Sequence, residues 1–362
     1  MKEALLYQRL NGKVRCEVCQ RRCLIAEGER GFCRTRLNRA GKLYSLIYAK
    51  VSSVSINPIE KKPVFHFYPG SLWLSMGSLG CNFLCPGCQN WEIAHAEVDL
   101  YPELTEEVSP EEAIRMAKSR DCLGISWTFN EPTLWFEYTL EGARLAKKEG
   151  LYTNYVTNGY MTEEALDTLG PYLDVFRVDV KGFSKDTYRK IAHLKDFLGI
   201  LSVTERALHK WGMHVEVVTN IIPTFNDSEE ELRGIASWIK KSLGEDVPWH
   251  VTRFHPYLHL SHLSPTPISR LERAREIGLE EGLHYVYIGN VPGHPGENTY
   301  CPRCKRLLIE RFVYNITLHD FDDGKCLGCG YSISGRFSPL VSCEKEARDE
   351  KQHHQSKILF RI

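Results

Sequence analysis

LWLSMGSLGCNFLCPGCQN, residues 72–90, joins a short apolar run to three closely spaced cysteines. The apolar run predicts a buried strand, and Gly77 and Gly80 mark a turn after it. Cys81, Cys85 and Cys88 then follow on one loop with C-x3-C-x2-C spacing. An ordinary [4Fe-4S] cluster takes four cysteines, so three on one loop predict a cluster with one iron open to an exchangeable ligand. The alternative is a zinc site that takes its fourth ligand from elsewhere.

Outward from this loop, short apolar runs alternate with amphipathic segments of helical period. Ser109-Pro110-Glu111-Glu112 and Ser228-Glu229-Glu230-Glu231 have the residues of helix starts. The alternation predicts an α/β fold, a partial (βα)6 TIM-like barrel with site residues at the carboxyl ends of its strands. A doubly wound open sheet is the alternative. Strands are expected near residues 72–77, 124–129, 152–156, 175–180, 214–219 and 250–254, with a weaker seventh near 285–288.

Composition excludes several classes of protein. The chain of 362 residues is long enough for one large domain or two ordinary ones. Lys plus Arg and Asp plus Glu both total 46, so no global charge favours nucleic acid or an anionic membrane. Neither a signal peptide nor a membrane-spanning apolar run is evident. We therefore expect a cytoplasmic protein with no membrane partner.

The 13 cysteines are many for a cytosolic chain, where structural disulfides are rare, so most are predicted metal ligands. Cys122 and Cys343 stand apart and are given no role. Two further sets of four flank the middle of the chain. The C-terminal set predicts a zinc ribbon, with a rubredoxin-like iron or Fe-S centre as the alternative. The N-terminal set is less standard and is assigned to zinc or an auxiliary Fe-S cluster. The sets are Cys301, Cys304, Cys326 and Cys329, and Cys16, Cys19, Cys23 and Cys33.

These clusters suggest four parts of the chain. Residues 1–46 form an N-terminal metal-binding segment and residues 47–298 the barrel core. Residues 299–337 form the zinc-ribbon-like segment. Residues 338–362 form a charged tail, which is expected to be partly disordered.

Several strings, from NPIEKKPVFHFYPG through CQN, TFNEP, VTNGY, DVKGF and PWHVTRFHPY to YIGNVPG, resemble the radical S-adenosylmethionine (SAM) superfamily. The resemblance is greatest to the pyruvate formate-lyase activating enzyme-like branch and, within it, to the radical SAM member of the AmmeMemoRadiSam system. It implies that Cys81, Cys85 and Cys88 are catalytic and hold a [4Fe-4S] cluster whose fourth iron binds SAM. One electron would cleave SAM to a 5'-deoxyadenosyl radical, which abstracts hydrogen from a substrate.

The resemblance also implies SAM-binding residues at successive strand ends. Glu131, with Asn130, matches a motif that binds the amino group of SAM, although a helix-capping pair would look the same. Thr157 and Asn158 match a turn near the SAM carboxylate and ribose, although Asn-Gly is also an ordinary turn.

Four more positions complete the predicted SAM site. Asp179 and Lys181 match a pair close to SAM, or are a surface ion pair of little energetic value. Asn220 follows the fifth strand, and His255 matches an imidazole near the adenosine.

Two departures from the family pattern bear on this site. Val156 stands where glycyl-radical activases often carry an acid, which places a cation site beside SAM in doubt. Gly87 replaces the aromatic residue that usually packs near adenine, and Phe83 or Trp91 is a candidate to fill that space.

Three functions are compared. The first is a radical SAM enzyme that acts on an unidentified protein, RNA or metabolite with a reductant such as flavodoxin or ferredoxin. The second is a glycyl-radical enzyme activase. The third is a non-catalytic, metal-stabilised binding or electron-transfer protein, against which the balanced charge and the polar strand ends argue.

Overall fold

The structure is a computed structural model that describes residues 1–338. The predicted charged tail therefore lies outside the described residues except for Ser338, and so does Cys343. Within the described part, no helix has the length and apolar character needed to cross a bilayer.

The N-terminal part of the chain consists of short antiparallel strands. One sheet has the order β1-β6-β5 and another the order β2-β3-β4. Val14, Ile25 and Leu43 from these strands are buried in the main hydrophobic core, so this part packs directly against the sheet that carries the cysteine loop. The strands are β1 Lys2–Glu3, β2 Tyr7–Leu10, β3 Lys13–Cys16, β4 Leu24–Ile25, β5 Arg36–Arg39, β6 Lys42–Ser45 and β7 Lys50–Val51.

Eight strands form the main sheet, in the order β16-β15-β14-β13-β12-β11-β9-β8. Seven are parallel, β8 is antiparallel to β9 at one edge, and the short β10 pairs with β7 outside this sheet. The strands are β8 Ser53–Pro58, β9 Leu72–Gly77, β10 Glu106–Glu107, β11 Gly124–Trp127, β12 Tyr152–Thr157, β13 Val175–Asp179, β14 His214–Ile221, β15 Trp249–Arg253 and β16 Val286–Gly289.

The parallel strands follow one another in chain order without a reversal, so the sheet lacks the switch point of a doubly wound fold. All six predicted strands are present within a few residues of their expected bounds, and the weaker seventh is β16. Each of the first six parallel strands is followed by at least one α-helix, and β16 is a seventh parallel strand. Closure of this sheet into a partial barrel stays a prediction.

The helices follow the predicted start signals. Ser109 Oγ accepts a hydrogen bond from Glu112 N at 3.2 Å, and the Glu112 carboxylate accepts one from Ser109 N at 2.7 Å. Ser228 Oγ likewise accepts from Glu231 N. The α-helices are α1 Trp91–Ala94, α2 Pro110–Ser119, α3 Phe136–Lys148, α4 Glu163–Leu169, α5 Lys185–Ala192, α6 Leu198–His209, α7 Glu229–Trp238 and α8 Ile268–Glu280.

Single turns complete the helical structure. A π-helical turn, Ile239–Leu243, extends α7. The 3-10 turns are Ile59–Lys61, Pro102–Leu104, Pro132–Trp135, Gly170–Tyr172, Leu258–Leu260 and Pro295–Glu297.

The two faces of the main sheet differ in polarity. The strand register places a row of mainly polar side chains on one face, while apolar residues such as Phe176 and Val217 join the core on the other. Within the polar row, Asn154 Nδ2 donates to Ser126 Oγ at 3.0 Å. The row comprises Ser75, Ser126, Asn154, Arg177, Glu216, His250 and Tyr287.

The C-terminal strands pack against one end of this sheet. Phe321, Ile333 and Phe337 share a buried cluster with Phe65 and Tyr287, which joins this segment to the string NPIEKKPVFHFYPG. The strands are β17 Thr299–Tyr300, β18 Leu307–Phe312, β19 Asn315–Leu318, β20 Phe321–Asp322 and β21 Lys325–Cys326.

Candidate functional site

The three-cysteine loop begins where β9 ends and stops at α1. Cys88 N donates to Cys85 O at 3.2 Å, which closes the second half of the loop. Gly80, immediately before Cys81, has φ +86° and lies so close to the N-terminal part that a Cβ there would be 2.4 Å from Thr35 Cγ2. Only glycine combines that conformation with that contact, so Gly80 fixes where the loop leaves the sheet.

Asn130 fastens this loop from behind. Its Oδ1 accepts from Ser78 N at 3.0 Å, and its Nδ2 donates to Gly80 O at 2.9 Å. On the other side of the loop, Asn90 Nδ2 donates to Phe129 O at 2.6 Å. The predicted SAM-binding residue Asn130 thus has both of its amide atoms bonded to the loop backbone, which makes it a clamp on the cysteines.

Glu131 is the centre of a buried network. Its Oε1 accepts from Thr157 Oγ1 at 2.7 Å and from the Thr133 hydroxyl at 2.6 Å, and its Oε2 accepts from Asn158 N at 2.8 Å. Burial raises the pKa of this carboxyl, although the hydrogen bonds oppose that rise. Glu131 also caps the 3-10 turn that follows it. The structure therefore brings Glu131, Thr157 and Asn158 together, while their role in binding SAM stays a prediction.

Asn158 connects this network to the cluster loop. Its Nδ2 donates to Asn82 Oδ1 at 2.7 Å and lies 3.9 Å from Cys81 Sγ. Asn82 was not singled out from the sequence, although its place next to the first cysteine was the available signal.

Asp179 and Lys181 form a partly open charged pair at the end of β13. Lys181 Nζ lies 3.2 Å from Asp179 Oδ2, and Arg177 also pairs with this carboxylate. Burial favours a higher pKa for Asp179, but the two cations outweigh it and hold the pKa below its usual value. Arg177 was missed in the sequence, where its two-residue spacing from Asp179 on a strand placed both on one face.

The thiols lie within reach of these charges. Burial, followed by the charge of Glu131, raises the pKa of Cys81 well above its ordinary value. Burial also raises the pKa of Cys85, and the Lys181 ammonium opposes that rise. The pKa of Cys88 is raised to about 11, chiefly by burial. Metal ligation requires thiolates, and the positive charge of Lys181 favours the thiolate form of the nearby cysteines.

Asn220 lies on β14, and His255 follows β15, the next strand of the sheet. Asn220 Nδ2 donates to Thr252 Oγ1 at 3.1 Å, which ties β14 to β15 at their carboxyl ends. His255 is half-buried just beyond β15. His250 and Arg253 point to other partners: His250 Nε2 contacts the buried Glu216 Oε2 at 2.6 Å, and Arg253 Nε donates to a loop carbonyl.

The space beside Gly87 is occupied by residues that the sequence analysis did not name. A Cβ on Gly87 would lie 3.0 Å from Leu260 Cδ1 and 3.3 Å from Phe254 Cε2. Phe83 is buried against Tyr160 instead, and Trp91 is 41% exposed. Leu260 and Phe254 therefore pack closely beside Gly87, and a larger residue there would require them to shift.

The C-terminal cysteines converge on one point. The ligand atoms of Cys301, Cys304, Cys326 and Cys329 all lie within 4.8 Å of one another. Two of the Sγ–Sγ separations, Cys301 to Cys329 and Cys304 to Cys326, are 3.5 Å. A tetrahedral ion with 2.3 Å bonds to sulfur holds its ligands about 3.8 Å apart, so these four thiols fit a single metal ion.

The N-terminal cysteines surround a cavity instead. Arg21 and Arg36 line the same cavity, as does Asn82 from the cluster loop. Arg21 Nη2 and Arg36 Nε are buried without a hydrogen-bond partner among the described residues, although Arg36 forms an ion pair with Glu137. Both arginines therefore bring positive charge to the neighbourhood of these cysteines. Its cysteines are Cys16, Cys19, Cys23 and Cys33.

Comparison with known proteins identifies the family. An uncharacterized protein of Methanocaldococcus jannaschii is 44% identical over 336 residues, which cover 92% of this chain and 99% of that protein. Residues 77–239, which include the cysteine loop and strands β11 to β14, match the radical SAM superfamily. The chain belongs to the radical SAM superfamily.

Other relatives of this radical SAM enzyme are more distant. The pyruvate formate-lyase-activating enzyme of Clostridium pasteurianum is 28% identical over 196 residues, or 50% of this chain and 77% of that enzyme. A solved radical SAM methyltransferase from Sphaerobacter thermophilus aligns with a TM-score of 0.48 and 16% identity, over 67% of this chain and 71% of that one.

Membership in the family decides between two of the predicted functions. Radical SAM proteins are enzymes that use a [4Fe-4S] cluster and SAM, so the non-catalytic alternative was wrong. The donor set fits such a cluster, because three thiols stand on one fastened loop with charged groups of both signs beside them.

Proposed function

We propose that this radical SAM enzyme holds its [4Fe-4S] cluster on Cys81, Cys85 and Cys88 and leaves the fourth iron for the amino and carboxylate groups of SAM. When bound, the cluster supplies the electron that cleaves SAM to methionine and a 5'-deoxyadenosyl radical, which takes a hydrogen atom from the substrate. A reductant such as flavodoxin or ferredoxin supplies that electron. The observation that carries the proposal is the three-thiol loop fastened by Asn130.

The residues around the loop divide the work of holding SAM. Glu131 keeps the turn of Thr157 and Asn158 in place and adds a negative charge that favours the SAM ammonium. Asp179 and Lys181 are partly exposed beside the loop, which leaves the pair free to meet the polar groups of SAM. His255 and Asn220 lie farther along the sheet edge, and we assign His255 to the adenosine of SAM and Asn220 to SAM without a specified group.

The parallel sheet supports the same proposal. Its strand order places the ends of β9 and β11 to β15 along one edge, where the named residues lie. We assign this edge to the mouth of a partial barrel over residues 47–298. Residues 1–46 and 299–337 are then the metal-binding segments that flank it.

The substrate is open, and a specific relative favours one alternative. The similarity to a pyruvate formate-lyase-activating enzyme supports a glycyl-radical partner protein as the substrate. Val156 stands on β12 where such activases often carry an acid, which favours a different substrate.

The C-terminal cysteines are proposed to hold zinc. Four thiols at single-ion spacing form a closed tetrahedral site, which suits a structural ion. Such an ion would stabilise β20 and β21, which are two residues long each.

The N-terminal cysteines are proposed to hold an auxiliary Fe-S cluster, with zinc as the alternative, because they line a cavity that reaches the cluster loop at Asn82. Arg21 and Arg36 line the same cavity, and their positive charges would favour the thiolate form of the cysteines that metal ligation requires.

Formation of 5'-deoxyadenosine tests the main proposal. We expect the anaerobically reconstituted enzyme to form it from SAM and dithionite, and Cys85→Ala to form at least ~100-fold less, since one cluster ligand is lost. Cys122→Ala is the matched control, because Cys122 is buried and distant from the loop, and it should match the wild type. Equal product from the wild type and Cys85→Ala would contradict the proposal.

A further inference from the structure

Lys62 is a buried lysine beside the proposed SAM site, in the string NPIEKKPVFHFYPG. It follows the 3-10 turn Ile59–Lys61 and is 4% exposed, whereas its neighbour Lys61 is exposed to solvent. Lysine is almost never buried in this way unless a carboxylate accompanies it.

The amine of Lys62 has little compensation for its burial. Within residues 1–338, its hydrogen bond goes to Asn57 Oδ1 at 3.3 Å, and that oxygen already accepts from Ser55 Oγ at 2.8 Å. No carboxylate of the described chain forms an ion pair with it. Burial, followed by the charges of Lys61 and Arg177, lowers the pKa of Lys62 to about 7. A buried donor with one long hydrogen bond has capacity for a ligand.

The position of this amine connects it to the reaction site. Lys62 Nζ lies over the ring of Phe129 at 5.0 Å, and Phe129 directly precedes the clamp residue Asn130. The Phe129 carbonyl accepts from Asn90, two residues beyond the last cluster cysteine. The amine therefore lies near Phe129, which follows the carboxyl end of β11 and is hydrogen-bonded to the segment just after the cysteine loop.

The charges nearby are unbalanced. Lys62, Arg177 and Lys181 are cations, and Asp179 is the carboxylate that pairs with the last two. Two other buried acids already have partners. Glu131 accepts hydrogen bonds from a hydroxyl group and a backbone amide, and Glu216 contacts two histidines. Arg177 Nε also lacks a hydrogen-bond partner among the described residues. The charge of Arg177 disfavours the charged form of Lys62, and an anion bound beside the two side chains would offset that repulsion.

We propose that Lys62, together with Arg177, binds an anionic group of the substrate, a carboxylate or a phosphate, next to the site of hydrogen abstraction. The proposal rests on the proposed radical SAM function and narrows the substrate to a molecule with such a group. A structural role explains Lys62 poorly, because an apolar side chain of similar length would fill the same space without an uncompensated amine.

Paired variants of the two adjacent lysines test the proposal. Inorganic phosphate and malonate are titrated by calorimetry into the reconstituted enzyme saturated with SAM. We expect saturable binding of at least one anion to the wild type, and affinity at least ~10-fold weaker in Lys62→Met, since a charge-assisted hydrogen bond is lost. Lys61→Met should bind as the wild type does. Lys62→Arg, which keeps the positive charge, should retain most of the affinity. Preference for phosphate or malonate separates the two anion classes.

Two further measurements show what Lys62 does in the fold. If the lysine is kept for binding, Lys62→Met should melt at the same or a higher temperature, because an unpaired buried amine destabilises a protein. A lower melting temperature with unchanged anion affinity would make Lys62 structural and overturn the proposal. A weaker SAM affinity in Lys62→Met would assign the amine to SAM and would also overturn it.

The failures of the two proposals are distinguishable. If the wild type binds neither anion but still forms 5'-deoxyadenosine, the anion site is rejected and the radical SAM proposal stands. Binding that depends on Lys62 in an enzyme that forms no 5'-deoxyadenosine rejects the radical SAM proposal and keeps the anion site.

Discussion

At the scale of single residues, Asn130 shows how one side chain changes meaning once its partners are known. The family resemblance assigns it to SAM, while its hydrogen bonds to Ser78 N and Gly80 O tie down the cysteine loop. Both backbone groups belong to a loop that has no strand partner at that point. Without the amide, those groups lose their hydrogen bonds and the loop loses its fixed position.

The two roles of Asn130 predict different defects. We expect Asn130→Ala to lose iron on gel filtration, because leaving two backbone groups unsatisfied costs about 1–3 kcal/mol each where they are buried. Iron per chain and SAM affinity are measured in parallel, with the exposed Asn315→Ala as the control. Full iron content with weakened SAM binding would show that Asn130 is a SAM ligand instead of a clamp.

The sequence predicted those site residues whose chemistry is local. Spacing predicts Cys81, Cys85 and Cys88, and the resemblance of TFNEP and DVKGF to family motifs predicts Glu131 and Asp179. Lys62 and Arg21 were missed because their meaning depends on contacts far along the chain: Lys62 lies over Phe129, and Arg21 Nε donates to Asn82 O at 2.6 Å. No periodicity or spacing encodes such contacts.

At the scale of elements, residues 65–67 join three parts of the molecule. Phe65 N and His66 N both donate to Glu216 Oε1 on β14 at 2.8 Å. His66 Nε2 contacts Tyr287 OH on β16, and its Nδ1 contacts Ser334 O, both at 2.7 Å. This segment therefore holds the polar face of the sheet and the C-terminal strands together.

The same segment predicts sensitivity to acid. Burial lowers the pKa of His66 from 6.5 to about 4, so the folded protein holds the neutral imidazole. The unfolded chain then binds the extra proton as the pH falls below 6.5, and stability is lost between pH 6.5 and 4. The free energy of unfolding, measured with urea, should fall from pH 7 to pH 5 in the wild type. We expect this fall to be about 2 kcal/mol smaller in His66→Gln.

The exposed His262→Gln serves as the control for this measurement and should follow the wild type. Glu216, whose pKa is lowered well below 4.5 by its two histidines against the effect of burial, loses its contribution only under more acidic conditions. An equal loss in His66→Gln and the wild type would show that His66 is not responsible.

Helices and strands were predictable where their sequence signals lie within the element itself. The capped helices α2 and α7 and the apolar parallel strands matched their expected positions. Strand β8 was missed, because Ser53–Pro58 is mostly half-exposed, ends in proline and gains its order from pairing with β9. Its register depends on a neighbour, not on its own composition.

At the scale of the whole molecule, the N-terminal cavity and the three-thiol loop are direct neighbours. Asn82 lines the cavity and follows Cys81, and a Cβ on Gly80 would lie 3.0 Å from Cys33 O. The C-terminal cysteine site lies instead among strands that pack against Phe65 and Tyr287. If the N-terminal cysteines hold the proposed Fe-S cluster, the two clusters would be neighbours, and the C-terminal site would lie apart from both.

Metal content tests this arrangement. We expect about eight irons and about one zinc per reconstituted chain, if two cubanes and one tetrahedral ion are present. Cys19→Ser should lose about half of the iron and keep the zinc, while Cys304→Ser should lose the zinc and keep the iron. Two zincs with about four irons in the wild type would reject the N-terminal Fe-S cluster.

The contact between His66 and Ser334 has a consequence for how the chain folds. The two residues are separated by 268 positions in the chain, and residues 65–67 shortly precede the first strand of the parallel sheet. Because closing so long a loop is entropically costly, this contact belongs late in folding, after the intervening strands have assembled. During synthesis the earlier strands therefore form before the segment that contains Ser334 leaves the ribosome. Until then the contact between His66 and that segment is absent.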